Sequence, residues 1–62
     1  MPTVHVELFP GRTHEQKAEL AKAITDVVVR IAKTTPEGTE VIFTEVPKEH
    51  WARAGVLASD EK

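Results

Sequence analysis

The sequence has 62 residues, with 8 basic and 10 acidic side chains, a formal net charge of −2 and no cysteine. A chain this short is predicted to form one domain, residues 1–62, and buries only about 60% of the surface that it exposes when unfolded. Disulfides and thiolate metal sites are excluded because cysteine is absent. Oligomerisation is therefore the expected way to stabilise so small a domain.

The distribution of charge and hydropathy excludes several kinds of partner. Acidic and basic residues are mixed along the chain without a basic stripe, so a nucleic-acid partner is not expected. Apolar runs such as Val27-Val28-Val29 are far too short to span a bilayer. The first residues have neither the basic nor the apolar region of a secretory signal. These features predict a soluble cytoplasmic protein.

The first predicted element is a strand over residues 3–9. Apolar and polar side chains alternate there, and period-two alternation with β-branched residues is typical of a half-buried strand. Pro10-Gly11 ends this strand.

A long amphipathic helix is predicted next. Thr13 followed three positions later by Gln16 forms a capping box, which satisfies two free donors at a helix start. Asp26 precedes Arg30 by four residues, which predicts an ion pair on the helix surface. A proline and a glycine at positions 36 and 38 end the helix. An apolar stripe at spacings of three and four residues contains Leu20, Ile24, Val27, Val28 and Ile31.

The second strand is predicted over residues 40–46, with Pro47 closing it. Three consecutive apolar residues, Val41-Ile42-Phe43, predict burial on both faces. Two strands joined by a long helix are expected to be parallel, in a right-handed β-α-β unit. Residues 48–62 read as a turn followed by a short hairpin or arm that packs on a neighbouring subunit.

Pro2 is the candidate for chemistry. Its small side chain favours removal of Met1, which would leave a secondary amine at the start of the chain. Desolvation and nearby cations disfavour the protonated form of such an amine. It could then serve as a general base and acid, or as a nucleophile toward carbonyls. If Met1 is retained, the nitrogen is an amide without useful basicity. The alternative interpretation is that Pro2 only begins an edge strand.

Two segments carry a resemblance to a known family. Residues 2–17 combine a proline after methionine, an alternating strand and the run Gly-Arg-Thr-x-Glu-Gln-Lys that leads into a helix. Residues 43–51, Phe-Thr-Glu-Val-Pro-Lys-Glu-His-Trp, cover the second strand and its exit. Together they resemble the 4-oxalocrotonate tautomerase family, over nearly the whole chain and in the family's order of elements.

The resemblance implies an α/β fold, a single β-α-β unit with a short C-terminal hairpin or arm. It also implies that chains pair into dimers and that three dimers form a hexamer, either a homohexamer or a heterohexamer, with active sites between subunits. The implied enzyme is a keto-enol tautomerase that needs no cofactor and acts on a small-molecule carboxylate. The amine of Pro2 takes a proton from a 2-hydroxydienoate or enol and returns it to a distant carbon, which gives the conjugated ketone.

Two further site residues are implied by matching positions. Arg12 matches the arginine that binds the substrate carboxylate, and a guanidinium offers a bidentate fork for that group. Trp51 matches an aromatic residue that makes the pocket apolar. The alternatives are a solvated arginine before the helix and a core or interface aromatic residue.

Glu40 departs from the family pattern. It occupies the position of a second arginine in the member that acts on the dicarboxylate 4-oxalocrotonate, and a carboxylate there would repel a dianion. Arg30 and Arg53 are other cations, which the sequence does not place in the pocket. Two alternatives follow, either hydration or dehalogenation of an unsaturated acid with Glu40 or Glu45 activating water, or a catalytically silent structural subunit.

Overall fold

A computed structural model describes residues 2–61, so Met1 and Lys62 lie outside the described residues. The main elements are β1 (Thr3–Leu8), α1 (His14–Ala32) and β2 (Glu40–Glu45). A 3₁₀ turn over residues 48–50, a hairpin and a second 3₁₀ turn over residues 58–60 follow. The predicted α/β class and the β-α-β unit with a C-terminal hairpin are confirmed.

The two long strands form a parallel pair, as predicted. Val4 lies opposite Val41 and Val6 lies opposite Phe43 in the register. These apolar residues are half-buried on the face toward α1, while the intervening residues of β1 are exposed. The pairing continues past the end of β2, where the Val46 amide donates to the Leu8 carbonyl at 2.9 Å.

The start of α1 follows the predicted capping box. The Gln16 amide donates to the Thr13 hydroxyl at 3.1 Å, and the Thr13 amide donates to the Gln16 side chain at 2.9 Å. The predicted pairing of Asp26 is wrong, because its carboxylate lies 3.1 Å from Lys22 one turn earlier. Positions four residues away in either direction are equally close on a helix, so spacing alone does not select the partner.

Among residues 2–61, no side chain is fully buried. The apolar stripe of α1 is divided, since Ile24 and Val28 are half-buried whereas Ile31 is 64% exposed. Ile42 is 48% exposed on the sheet face away from α1, so the prediction that this strand is buried on both faces is wrong for the isolated chain. One helix covers only one face of the sheet. The uncovered apolar surface fits the expectation that the domain is completed by other chains.

The C-terminal arm is a tight hairpin. Strands β3 (Ala52–Arg53) and β4 (Val56–Leu57) are antiparallel, with Arg53 opposite Val56. Ala54 and Gly55 both have positive φ, 54° and 80°, as the central residues of a type I′ turn do. No helix within residues 2–61 has both the length and the apolar character needed to cross a membrane.

Candidate active site

Pro2 lies at the amino end of the parallel pair. It is half-buried, and its carbonyl accepts a hydrogen bond from the Glu40 amide at 3.0 Å. Thr3 is opposite Glu40 in the register, so β2 begins directly beside Pro2. The structure therefore places Glu40, the residue that differs from the family pattern, next to the candidate base Pro2 within the same chain.

Arg12 and Trp51 lie at the other end of β1, where both contact Phe9. The rings of Phe9 and Trp51 meet edge to face, with centroids 4.8 Å apart and planes at 62°. Arg12 donates from Nη1 to the Phe9 carbonyl at 3.1 Å. Lys48 places its ammonium 5.5 Å from the centre of the Phe9 ring, within cation–π range. The result is an aromatic pair with two cations beside it.

Phe9 and Lys48 were not identified as site residues from the sequence. Phe9 is the last residue of the alternating segment, so a signal for its orientation was present, but nothing in the sequence pairs it with Trp51. That pairing depends on the 3₁₀ turn over residues 48–50, which carries the chain from the end of β2 back to the end of β1.

A cleft of about 210 Å³ adjoins the aromatic pair. Its walls combine the two aromatic rings with residues of the C-terminal arm. Arg53 Nη2 lies 3.7 Å from Glu61 Oε2 at this cleft, in a loose ion pair. The lining residues are Phe9, Trp51, Arg53, Val56, Ala58 and Glu61.

Pro2 is far from this cleft within one chain. Pro2 and Phe9 flank β1 and are seven positions apart, a span of roughly 20 Å at about 3.3 Å per residue of strand. The structure thus brings Arg12 and Trp51 together but separates both from Pro2. A site that contains all three residues requires at least two copies of this fold.

The loop that carries Arg12 is fixed at its helical end. Lys17 Nζ lies 3.1 Å from Glu45 Oε2, and both side chains are about one-third exposed, 33% and 38%. This ion pair joins the first turns of α1 to the end of β2. Within residues 2–61, no group of three or more His, Asp or Glu side chains is placed to hold a metal ion.

Comparisons with known proteins identify the family. The family model described as "Tautomerase enzyme" matches residues 2–61. The chain belongs to the tautomerase family. A protein named a probable tautomerase, from Streptococcus agalactiae serotype III, is 44% identical over 57 residues, which are 92% of this chain and 95% of that protein.

Solved structures of the family agree with this fold. YwhB, described as a homologue of 4-oxalocrotonate tautomerase, is 36% identical with a TM-score of 0.94, covering 98% of this chain and 100% of that one. A heterohexamer 4-oxalocrotonate tautomerase from Chloroflexus aurantiacus J-10-fl is 29% identical with a TM-score of 0.92, covering 100% of both chains. The resemblance to the 4-oxalocrotonate tautomerases is confirmed, and the protein is an isomerase of the tautomerase type.

Proposed function

We propose that this tautomerase interconverts the enol and keto forms of small unsaturated 2-hydroxy and 2-oxo acids, without a cofactor. In this proposal Pro2 is the general base and acid after Met1 is removed, Arg12 binds the carboxylate and Trp51 forms an apolar wall. The observation that supports it best is the cluster of Arg12 with the Phe9–Trp51 pair. It places a guanidinium beside an apolar surface, as a small planar acid requires.

The proposed reaction moves one proton and leaves the composition of the substrate unchanged. The lone pair of the Pro2 nitrogen takes the proton of the 2-hydroxyl group, and the electrons of the O–H bond form the new carbonyl. The carbon–carbon double bonds shift, and the terminal carbon of the conjugated system takes the proton back from the Pro2 nitrogen. The guanidinium of Arg12 holds the carboxylate by two hydrogen bonds, so the acid stays oriented through both proton transfers.

The proposed site is shared between chains. Since Pro2 and Arg12 lie at opposite ends of β1, Pro2 of one copy meets Arg12 and Trp51 of another. The exposed apolar residues of α1 and the exposed Ile42 are surfaces that such an assembly would cover. We propose a hexamer of three dimers. A homohexamer is the simpler arrangement, and the heterohexameric relative supports the other one.

The proposal is tested first by the state of Met1. Protein whose intact mass lacks Met1 is expected to ketonise phenylenolpyruvate or 2-hydroxymuconate, followed by ultraviolet absorbance. A variant with a lysine inserted between Met1 and Pro2 keeps its first residue and turns the Pro2 nitrogen into an amide. We expect its rate to fall at least about 10²-fold, the lower limit for loss of a positioned acid–base group. Equal rates for the two proteins would exclude Pro2 as the base.

Hydration of an unsaturated acid is the second candidate function. It is favoured by the position of Glu40, whose amide is bonded to the Pro2 carbonyl. In that reaction a protonated Pro2 would act as the acid while a carboxylate at the same strand end activates water. We expect a hydratase rate to rise toward low pH and to fall in Glu40→Gln, whereas a base-catalysed tautomerase loses rate at low pH. The two pH profiles, measured on the same preparation, separate the functions.

A further inference from the structure

Glu40 occupies the position of the family's second arginine, so the proposed function leaves open which residue would bind a second carboxylate of a substrate. In the proposed function Arg12 binds one carboxylate of a substrate, and Glu40, the residue beside Pro2, offers no cation for a second one. Any diacid would therefore need a second cation besides Arg12. This question rests on the proposed function, because it concerns the substrate of the same site.

Arg53 is placed to be that cation. It lies on β3 and lines the cleft together with Phe9 and Trp51. Phe9 connects the two arginines, since its carbonyl accepts from Arg12 while Phe9 and Arg53 line the same cleft. The tight turn at Ala54-Gly55 joins β3 to β4 and pairs Arg53 with Val56, which fixes the backbone from which the guanidinium projects.

The guanidinium of Arg53 is only loosely engaged. Its ion pair to Glu61 spans 3.7 Å, longer than the 2.7–2.9 Å that is usual for a charge-assisted hydrogen bond. The side chain is 83% exposed and Glu61 is 44% exposed. An exposed pair at this distance has little stability. A substrate carboxylate can therefore replace Glu61 and form the closer, bidentate contact that Glu61 does not make.

We propose that Arg53 binds the second carboxylate of a small diacid, with Glu61 as the counter-ion that the diacid displaces. The cleft of about 210 Å³ is below the roughly 300–1,000 Å³ of sites for drug-sized ligands, so it suits a short chain acid. Lys48 beside Phe9 adds a further positive charge near the same wall. Arg53 is thus the specificity residue for diacids over monoacids, in place of an arginine at position 40.

Binding is tested with unreactive acids. Trp51 is the only tryptophan of the chain and lines the cleft, so its fluorescence reports directly on a bound ligand. Adipate, a saturated six-carbon diacid, is expected to bind about 10-fold more weakly to Arg53→Gln than to the parent protein, as loss of an exposed charge-assisted contact implies. Hexanoate, with one carboxylate, is expected to show a much smaller difference. Equal adipate affinities in the two proteins would overturn the proposal.

Two matched variants complete the design. Arg30→Gln removes the same charge from the exposed helix surface and is expected to leave the adipate-to-hexanoate ratio unchanged. Glu61→Gln removes the competing carboxylate and is expected to tighten adipate binding severalfold. A loss of the ratio in Arg30→Gln equal to that in Arg53→Gln would show a general charge effect and contradict a specific site. Because binding is measured without turnover, adipate selectivity with no tautomerase activity would refute only the proposed function.

Discussion

Replacement of Pro2 by alanine is expected to lower kcat/KM for phenylenolpyruvate by at least about 10²-fold. Alanine is also small, so Met1 is expected to be removed from the variant as it is from the parent chain. The variant then differs in the amine itself. The proline ring fixes the direction of the nitrogen lone pair, whereas the primary amine of alanine rotates about its N–Cα bond. Proton transfer depends on that direction, because the base must lie within hydrogen-bond reach of the hydroxyl group.

Pro36→Ala provides the matched control for this variant. Pro36 is exposed in the loop between α1 and β2 and is not a residue of the proposed site. Pro36→Ala removes the same side-chain atoms as Pro2→Ala. It is expected to leave kcat/KM within about twofold of the parent value, as for surface changes without special contacts. Intact mass and circular dichroism of all three proteins establish that processing and fold are equal. A Pro2→Ala rate close to that of the parent would remove Pro2 from the mechanism.

The fold could be predicted because the sequence patterns that indicate its strands and helix are local. The alternation over residues 3–9 identified β1, and the capping box at Thr13 placed the start of α1 at the correct residue. A long helix between two strands then implied parallel pairing, which the register confirms. Each of these inferences rests either on residues that are close in sequence or on a rule of topology.

The incorrect predictions concern residues for which the sequence allowed more than one partner or more than one degree of burial. Asp26 has a lysine four residues before it and an arginine four residues after it, and helical spacing treats both alike. Ile42 was assigned to a buried face because its neighbours are apolar, but one chain provides only one covering layer. Composition led us to expect an oligomer, but it did not indicate which face of the sheet other chains would cover.

The candidate site was only partly predictable for a related reason. Pro2 was a candidate from its place after Met1, whereas Arg12 and Trp51 came from the family resemblance. The structure added that Arg12 and Trp51 both contact Phe9. Placing Arg53 in the cleft requires the hairpin, whose type I′ turn at Ala54-Gly55 lacks the Asn-Gly or Asp-Gly pair that usually signals it. The separation of Pro2 from Arg12 follows from the length of β1 and could have been derived from the predicted strand.

That separation leads to a strong test by complementation. Pro2→Ala and Arg12→Ala are each expected to be nearly inactive, because the amine of one is no longer held in the direction of the substrate and the other lacks the carboxylate-binding group. Chains of the two variants, mixed one to one while unfolded and then refolded together, would form shared sites. About a quarter of these sites would pair an intact Pro2 with an intact Arg12, if two chains contribute independently to each site. Activity near a quarter of the parent value is therefore expected from two inactive proteins.

The controls for this experiment use the same proteins. Each variant refolded alone remains inactive, and the two variants mixed after separate refolding recover activity only as fast as subunits exchange. If one chain supplied both residues, every chain in the mixture would carry one defect and no activity would return. Recovery thus distinguishes a shared site from a self-contained one. It would also show that this 62-residue chain, which has no fully buried side chain among residues 2–61, uses assembly for its chemistry, as its size leads us to expect for its stability.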